Sequence, residues 1–425
     1  MSSSHTSAHL YGTSAKHSAM LLAPNRPRTV AAAPVRGSAM GTACAIALAL
    51  TPAAARSSKL EAAYVVLGGE GAVARAILSD ATQCPAITID NATAAMHLRA
   101  SPQTGGSFLV AVCDALLPPG TVSAAIEGRP LPVPRPSLGA IAVLGDTGCR
   151  LKAYKQAARK NDHDHPDAGQ FQDCDRRSKW PFSQVSKAIT TRKPDLVIHV
   201  GDYVYRESPC PKGDRGCKGS PYGDNWLAWQ ADFFKPAAAL LASAPWIATR
   251  GNHESCERAG AGYFRFLDPS LAKNGSPPAC TDLTPVYTAT VAGRSFIIMD
   301  TSNADDGCKN GGCDSAPYAA QFAGLPPVPG SLFVSHRPIW GIGRNFELNR
   351  TLQRALAEWQ GKLPPGIDLA LSGHMHTFEI LSFDDGRSPQ VIVGTGGTKL
   401  DTTITRRLEG TKLGGTVDQT FRSFI

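Results

Sequence analysis

Residues 196–205 read LVIHVGDYVY, an apolar run that ends in a glycine, an aspartate and a tyrosine. Such a run, rich in β-branched residues, predicts a strand buried on both faces, as in a parallel sheet. The glycine permits a sharp turn, which places the side chains of Asp202 and Tyr205 at the end of the strand. Ligands of open α/β sheets bind beyond the carboxyl ends of the strands, so this turn is a candidate functional site.

Four further apolar runs also end in a turn that carries His, Asp or Asn. These turns are Gly145-Asp146-Thr147-Gly148, Gly251-Asn252-His253-Glu254, Ser335-His336-Arg337 and Gly373-His374-Met375-His376. If all five converge on one crevice, they supply oxygen and nitrogen donors and no thiolate. That set suits two hard or borderline cations such as iron, zinc or manganese. Two metals about 3.5–4 Å apart can stabilise both the attacking and the leaving oxygen of a displacement at phosphorus.

The order of the five turns, G-D-x-G, G-D-x-x-Y, G-N-H-E, x-x-x-H and G-H-x-H, resembles the blocks of calcineurin-like metallophosphoesterases, specifically those of purple acid phosphatases. One block has little weight, but all five in order after strands form a specific signal. The resemblance covers roughly residues 140–400. It implies an α/β (α+β) fold with a two-sheet β-sandwich flanked by helices. It also implies a hydrolase that cleaves small phosphate esters with a metal-activated hydroxide.

The resemblance assigns the ligands of two metal ions. The first metal would be bound by Asp146, Tyr205 and His376, and the second by Asn252, His336 and His374, with Asp202 bridging both. Tyr205 would be the tyrosinate that colours purple enzymes, so iron(III) paired with iron(II), zinc or manganese is the expected cofactor. Most broader members have a histidine where this chain has Gly148, and that departure also favours the tyrosine.

The remaining polar residues of the turns have roles other than binding a metal. With Asp202, His253 is the predicted catalytic residue, contacting the phosphate or protonating the leaving group. Glu254 would orient a neighbouring group. Arg337 either holds a phosphate oxygen or faces solvent.

Four more polar residues are predicted to lie outside the site. His199 is expected in or beneath the core, His163 and His165 in a solvated loop, and Asp300 in a hydrogen-bonded turn.

Three regions are predicted along the chain. Residues 1–55 have four basic residues, no acid, an apolar stretch and small residues at a cleavage site, as in a signal segment. Residues 56–136 contain short strands separated by turn residues and end in a proline-rich linker, which predicts a small all-β domain. Residues 137–425 alternate strands and helices and form the predicted catalytic domain. Its predicted helices are Phe182–Thr191, Trp226–Leu241 and Leu352–Gln360.

The cysteines favour an exported protein, either periplasmic or secreted. Of eleven, one lies in the signal segment, and an even number remains, as expected in an oxidising compartment. Thiolate zinc binding is disfavoured because no C-x-x-C pair occurs. Pairing of sequence neighbours predicts the disulfides Cys84–Cys113, Cys149–Cys174, Cys210–Cys217, Cys256–Cys280 and Cys308–Cys313.

Charge and hydropathy do not indicate a nucleic-acid partner or a membrane span. The formal charge of +8 would fall to +4 on cleavage after Ala55, too little to indicate nucleic acid without a basic stripe. No apolar run reaches the roughly 18 residues of a membrane-spanning helix. No oligomeric state is indicated.

Three functions are compatible with the sequence. An acid phosphomonoesterase is favoured, and a phosphodiesterase or nucleotidase on the same scaffold is the first alternative. The other is a non-catalytic exported binding protein with a decayed site. Competent residues at every expected ligand position argue against decay.

Overall fold

Two large β-sheets, packed face to face, carry the strands that end in the five turns. The computed structural model describes residues 59–79, 83–153, 170–273, 275–308, 313–343, 349–401, 408–413 and 416–423. The predicted signal segment at residues 1–55 and the two loop histidines, His163 and His165, lie outside the described residues.

The described elements are short strands and six α-helices. The strands are β1 (Lys59–Gly68), β2 (Gly71–Ser79), β3 (Ala86–Ile89), β4 (Ala92–Ala95), β5 (His97–Ala100), β6 (Val110–Leu117), β7 (Ala124–Ile126), β8 (Arg129–Pro130), β9 (Ile141–Leu144), β10 (Leu151–Lys152), β11 (Gln170–Phe171), β12 (Leu196–His199), β13 (Trp246–Ala248), β14 (Tyr287–Val291), β15 (Arg294–Ile298), β16 (Ser331–Val334), β17 (Ile367–Ser372), β18 (Phe378–Phe383), β19 (Gln390–Val393) and β20 (Val417–Ser423). The helices are α1 (Phe182–Thr191), α2 (Trp226–Trp229), α3 (Lys235–Leu241), α4 (Gly260–Phe266), α5 (Ala316–Ala323) and α6 (Arg350–Trp359).

Both large sheets contain four adjacent parallel strands. The first sheet has the order β5-β6-β2-β1-β13-β12-β9, and the second has the order β14-β15-β16-β17-β19-β18-β20. Strands β9, β12, β13 and β1 are parallel in the first sheet, as are β15, β16, β17 and β19 in the second. All four residues of β12 are buried, as the continuous apolar run predicts for a strand covered on both faces.

Apolar side chains fill three layers of core. Between the sheets lie, among others, Val65, Ile198, Phe296, Val334 and Leu371. The other face of the first sheet packs on α2, α3, α4 and the turn between α2 and α3, and the other face of the second packs on α5 and α6. The layers are therefore helix, sheet, sheet and helix, which confirms the predicted sandwich flanked by helices.

The N-terminal strand region is all-β, as predicted, but most of its strands belong to the large first sheet. Val66 of β1 pairs in parallel with Trp246 of β13, so the sheet continues from the N-terminal strands into those that carry the site. The boundary predicted between residues 136 and 137 therefore does not divide the sheet, and residues 56–425 form one compact unit. The physical reason is that β1 and β2 are apolar along most of their length and need cover on both faces.

Two buried arginines fasten these strands to the chain after the G-N-H-E turn. Arg75 and Arg99 both pair with Asp114, at 2.7 and 2.9 Å. Their other N–H groups donate to main-chain carbonyls at the end of α4, for example from Arg75 to Phe266 at 2.7 Å. The last carbonyls of a helix lack an intrahelical donor, so the arginines satisfy that end.

The helix predicted at residues 226–241 is present with an irregularity. A π-helical turn, Gln230–Phe234, joins α2 to α3. Such turns are frequent at functional sites, and this one places Asp232 against the loop that carries Tyr205. Helix α1 has the predicted bounds.

Among the described residues, the structure joins ten cysteines in the five pairs that sequence neighbourhood predicts. Within the described ranges, no helix combines the length and the hydropathy that crossing a membrane requires.

Candidate metal centre

The five turns meet at one edge of the sandwich. Asp146, Asp202 and Asn252 follow β9, β12 and β13, at the carboxyl ends of three adjacent parallel strands of the first sheet. His336 and His374 follow β16 and β17, two adjacent parallel strands of the second sheet. Asp202 Oδ2 lies 3.3 Å from His336 Nε2, so residues of the two sheets are in contact.

The backbone at these turns is strained. The φ angle is +56° at Asp146, +63° at Asp202 and +71° at His374, a left-handed conformation that costs a non-glycine residue about 1–3 kcal/mol. Gly201 has a φ of +100°, and a Cβ there would lie 2.5 Å from the ring of His336. Glycine at this position therefore allows the approach of His336 to Asp202.

The first group of predicted ligands surrounds the hydroxyl of Tyr205. Its Oη lies 2.9 Å from Asp146 Oδ1, 2.7 Å from Asp202 Oδ2 and 2.9 Å from His376 Nε2. The tyrosine is fully buried. Burial, and then the carboxylates of Asp146 and Asp202, raise the pKa of this hydroxyl well above its usual value. Ionisation of Tyr205 therefore requires a strong positive charge nearby.

The second group surrounds the side-chain oxygen of Asn252. Both His336 Nε2 and His374 Nδ1 lie 2.8 Å from Asn252 Oδ1. Ligand atoms of Asp202, His336 and His374 lie within 4.8 Å of one another. Asp202 Oδ2 contacts both groups and thus has the position of a bridging ligand.

These donors fit two metal ions. A phenolic hydroxyl has one proton to donate, whereas two carboxylate oxygens, from Asp146 and Asp202, face Tyr205 Oη, so a cation satisfies the group better than hydrogen bonds alone. Burial lowers the pKa of His336, but the Asp202 carboxylate outweighs it and raises the pKa to about 9. The pocket therefore stabilises positive charge between these two residues. Oxygen and imidazole donors of this kind suit iron, zinc or manganese.

Gly148 explains why a tyrosine has to supply a donor. A Cβ at this position would lie 2.7 Å from the backbone nitrogen of Tyr205 and 2.8 Å from the carbonyl oxygen of Tyr203. No side chain can extend from residue 148 in this backbone arrangement. The ring of Tyr205 reaches the first group of ligands instead.

His253 lies over the ring of Tyr205, with 3.7 Å between the ring centroids. Its Nδ1 is 2.8 Å from Glu207 Oε1, and the guanidinium of Arg258 contacts the ring at 2.7 Å. Burial, and then Arg258, lower the pKa of His253 to about 3, against the opposite effects of Asp202 and Glu207. These neighbours therefore favour the neutral form of the ring.

Glu254 orients the Asp202 turn. Its carboxylate is fully buried and accepts hydrogen bonds from the backbone N–H groups of Asp202, Tyr203, Val204 and Gly251, at 2.8–3.1 Å. The conformation of the turn therefore depends on this one side chain.

Asp232 holds the Tyr205 end of the same loop. Its Oδ2 accepts from Tyr205 N–H at 2.9 Å, its Oδ1 accepts from Cys149 N–H at 3.1 Å, and it pairs with Arg206. Asp401 has a similar role at His376, whose backbone N–H donates to Asp401 Oδ2 at 2.9 Å.

Three other polar residues near the site have partners within the protein. Arg337 pairs with Asp306 and donates to the carbonyl of Ser302, and its side chain is 13% exposed; its contact with a phosphate oxygen stays a prediction. His199 is buried beneath the site, its Nε2 3.0 Å from Thr147 Oγ1. Asp300 accepts from the N–H of Ser302 at 3.0 Å, as expected for a turn.

Sequence reasoning missed Glu207, Asp232, Asp306 and Asp401. Glu207 is two residues from Tyr205, so its position in the same loop could have indicated it. Asp232 lies in the π-helical turn, and Asp306 and Asp401 lie in loops. All three are far in sequence from the residues that they contact, and no local pattern indicates them.

The family model of calcineurin-like phosphoesterases matches residues 139–378, and this chain belongs to that family. It is therefore a hydrolase that acts on phosphate esters, in a family that depends on dinuclear metal centres. The match contains all five turns. No curated protein matches the sequence.

Solved structures of other proteins align with this chain at low sequence identity. Purple acid phosphatase PPD1 from seeds of yellow lupin (Lupinus luteus) aligns with a TM-score of 0.50 and 13% identity, over 85% of this chain and 69% of that one. PhoD aligns with a TM-score of 0.45 and 13% identity, over 80% of this chain and 78% of that one. A dimetal phosphatase from Danio rerio has a TM-score of 0.30 and 12% identity, over 61% and 88%. At 13% identity, the likeness to the lupin phosphatase concerns the fold alone.

Proposed function

We propose that this chain is an exported acid phosphomonoesterase of the purple type, with iron(III) in the first metal site and iron(II), zinc or manganese in the second. The observation that carries the proposal is the position of the Tyr205 hydroxyl, within 2.9 Å of Asp146, Asp202 and His376. A tyrosine buried among two carboxylates and an imidazole is a strong donor for a trivalent cation.

The ligands divide into two sets around Asp202. Asp146, Tyr205 and His376 would hold the first metal, and Asn252, His336 and His374 the second. Bound there, two metal ions would neutralise charge on the phosphate and lower the pKa of water, which supplies a nucleophile at or below neutral pH. Each residue of both sets lies at the end of a strand or in the turn after it, so the protein holds the donors in fixed positions.

The chain's own polar residues would act on the substrate beside the metals. Glu207 faces Nδ1 of His253, and the guanidinium of Arg258 lies 2.9 Å from Nε2, so a phosphate oxygen or a leaving group at Nε2 would meet both side chains. A phosphate brings negative charge, which opposes the effect of Arg258 on the pKa of His253 and favours uptake of a proton. Arg258, about one-fifth exposed, adds a positive charge on the same side.

Export is supported by the five disulfides, since such bonds form and persist in oxidising compartments. Four of them, all but Cys84–Cys113, lie in or near the loops around the site. In an oxidising environment they would keep those loops in place.

Elemental analysis with a visible absorption spectrum of the purified protein tests the proposal. We expect bound iron and a broad charge-transfer band, lost in Tyr205→Phe and kept in Tyr203→Phe. The second variant is a matched control, because the Tyr203 hydroxyl donates to the Thr249 carbonyl at 3.1 Å and not to a predicted metal ligand. Hydrolysis of p-nitrophenyl phosphate should exceed that of bis(p-nitrophenyl) phosphate.

Three other results would each refute one part of the proposal. A colourless, active protein with two zinc or manganese ions would refute the purple type. Preference for the bis-ester would refute the monoesterase. Absence of any metal-dependent hydrolysis would refute the catalytic centre.

A further inference from the structure

Asp306, in the loop after β15, contacts His374 on the side opposite the metal-ligand group. The two ring nitrogens of His374 face different partners: Nδ1 is 2.8 Å from Asn252 Oδ1, and Nε2 is 2.8 Å from Asp306 Oδ2. A histidine that binds a metal through one nitrogen usually donates its other N–H to a carboxylate or a carbonyl, which fixes the tautomer and the ring orientation.

We propose that Asp306 is the positioning residue of the second metal site: it accepts the Nε2–H of His374 and so presents the Nδ1 lone pair to the metal. The inference rests on the proposed metal site and extends it to a residue outside the five turns. Asp306 itself would not touch the metal or the substrate.

Asp306 is held in place by its other partners. Its Oδ1 accepts from Asn349 Nδ2 at 2.7 Å, and Arg337 pairs with its Oδ2. Asn349 in turn caps α6 by accepting from the N–H of Leu352 at 2.7 Å. A continuous chain of polar contacts thus runs from the start of α6 through Asp306 to His374.

Arg337 has a defined part in this arrangement. Its side chain is 13% exposed, and one of its guanidinium nitrogens lies 3.1 Å from His374 Nε2. If Nε2 carries a proton, Arg337 cannot donate to it, and both groups donate to the carboxylate of Asp306. Arg337 therefore helps to orient that carboxylate.

The other histidine of the site has a different partner. His336 Nδ1 donates to the carbonyl oxygen of Val200 at 2.8 Å. Asp306 contacts only His374 of the two, so removing its charge should weaken the second metal site through one ligand and leave the first metal site intact. A carboxylate also raises the basicity of an imidazole ligand more than a neutral carbonyl does.

Titration with Zn²⁺, in competition with a chromophoric chelator, tests the role of Asp306 on the full chain stripped of metal. We expect two bound ions in the wild type. In Asp306→Asn, the affinity for the second ion should fall about 10- to 100-fold, with the first affinity unchanged. Phosphatase activity of this variant should return at high Zn²⁺ concentration, and Asp306→Glu should be affected less.

Asp305→Asn is the matched control. It removes the same charge from the neighbouring residue, whose carboxylate accepts from the N–H of Gly307 at 3.1 Å, and it should titrate like the wild type. A merely structural role of Asp306 would weaken both ions together and lower the melting temperature. That result, or an unchanged second affinity in Asp306→Asn, would overturn the inference. A wild type that binds no second ion would refute the proposed function itself, and this inference with it.

Discussion

Replacing Glu254 by glutamine removes one of the two oxygens that hold the Asp202 turn. Oε2 accepts from the N–H groups of Asp202 and Gly251, at 3.0 and 3.1 Å. Oε1 accepts from those of Tyr203 and Val204, at 2.8 and 3.1 Å. A glutamine keeps one oxygen, so either orientation of its amide leaves two backbone donors facing an NH₂ group.

The expected cost follows from those two donors. A buried N–H that loses its acceptor costs about 1–3 kcal/mol, so the free energy of unfolding should fall by about 2–6 kcal/mol. That is a large part of the roughly 5–15 kcal/mol by which folded proteins are stable. The turn that presents Asp202 should also shift, because its strained φ of +63° depends on these contacts.

Equilibrium unfolding in urea of the disulfide-intact protein measures this effect. Glu257→Gln is the control, because Glu257 is exposed and the charge change is the same. Glu254→Gln should have the lower midpoint, at an unchanged slope, and reduced phosphatase activity. Equal stability of the two variants, within about 1 kcal/mol, would refute the assigned role of the buried hydrogen bonds.

Three further predictions concern other parts of the site. Asp232→Asn leaves the buried guanidinium of Arg206 without its counter-ion and should lower the free energy of unfolding by about 3–5 kcal/mol. The control Asp175→Asn changes an exposed carboxylate and should not lower it. Similar urea midpoints for the two variants would contradict the prediction. The double variant Cys256→Ser, Cys280→Ser opens a loop of 24 residues, and its free energy of unfolding in the same assay should be about 3–4 kcal/mol lower. An unchanged urea midpoint would show that this disulfide adds no stability. His253→Gln should keep its metals by elemental analysis while kcat falls about 100-fold or more; loss of a metal would instead make His253 a ligand.

The turns and their order could be predicted from the sequence because each functional residue follows its strand directly. The apolar run before Asp202 defines the strand, and Gly201 marks the turn. Parallel strands then bring such turns together without further information. The sandwich was predicted from the resemblance to metallophosphoesterases, and the helix at Phe182–Thr191 was predicted with the bounds that the structure has.

The supporting contacts could not be predicted, because they depend on pairings between distant parts of the chain. Asp306 and His374 are 68 residues apart, and Asp232 reaches Tyr205 from a π-helical turn that no propensity indicates. The Arg337 side chain points toward Asp306, with which it pairs. The sequence does not show this pairing, so the position of Arg337 next to His336 left two roles open. The parallel pairing of β1 with β13 likewise joins the N-terminal strands to a sheet that local patterns had assigned to a separate domain.

Anomalous diffraction from crystals of the metal-loaded protein tests the central claim most directly. Two peaks about 3.5–4 Å apart are expected, with the Asp202 carboxylate between them, Tyr205 bound to one, and His336 and His374 bound to the other. A single peak, or two peaks with Tyr205 bound to neither, would contradict the proposed centre.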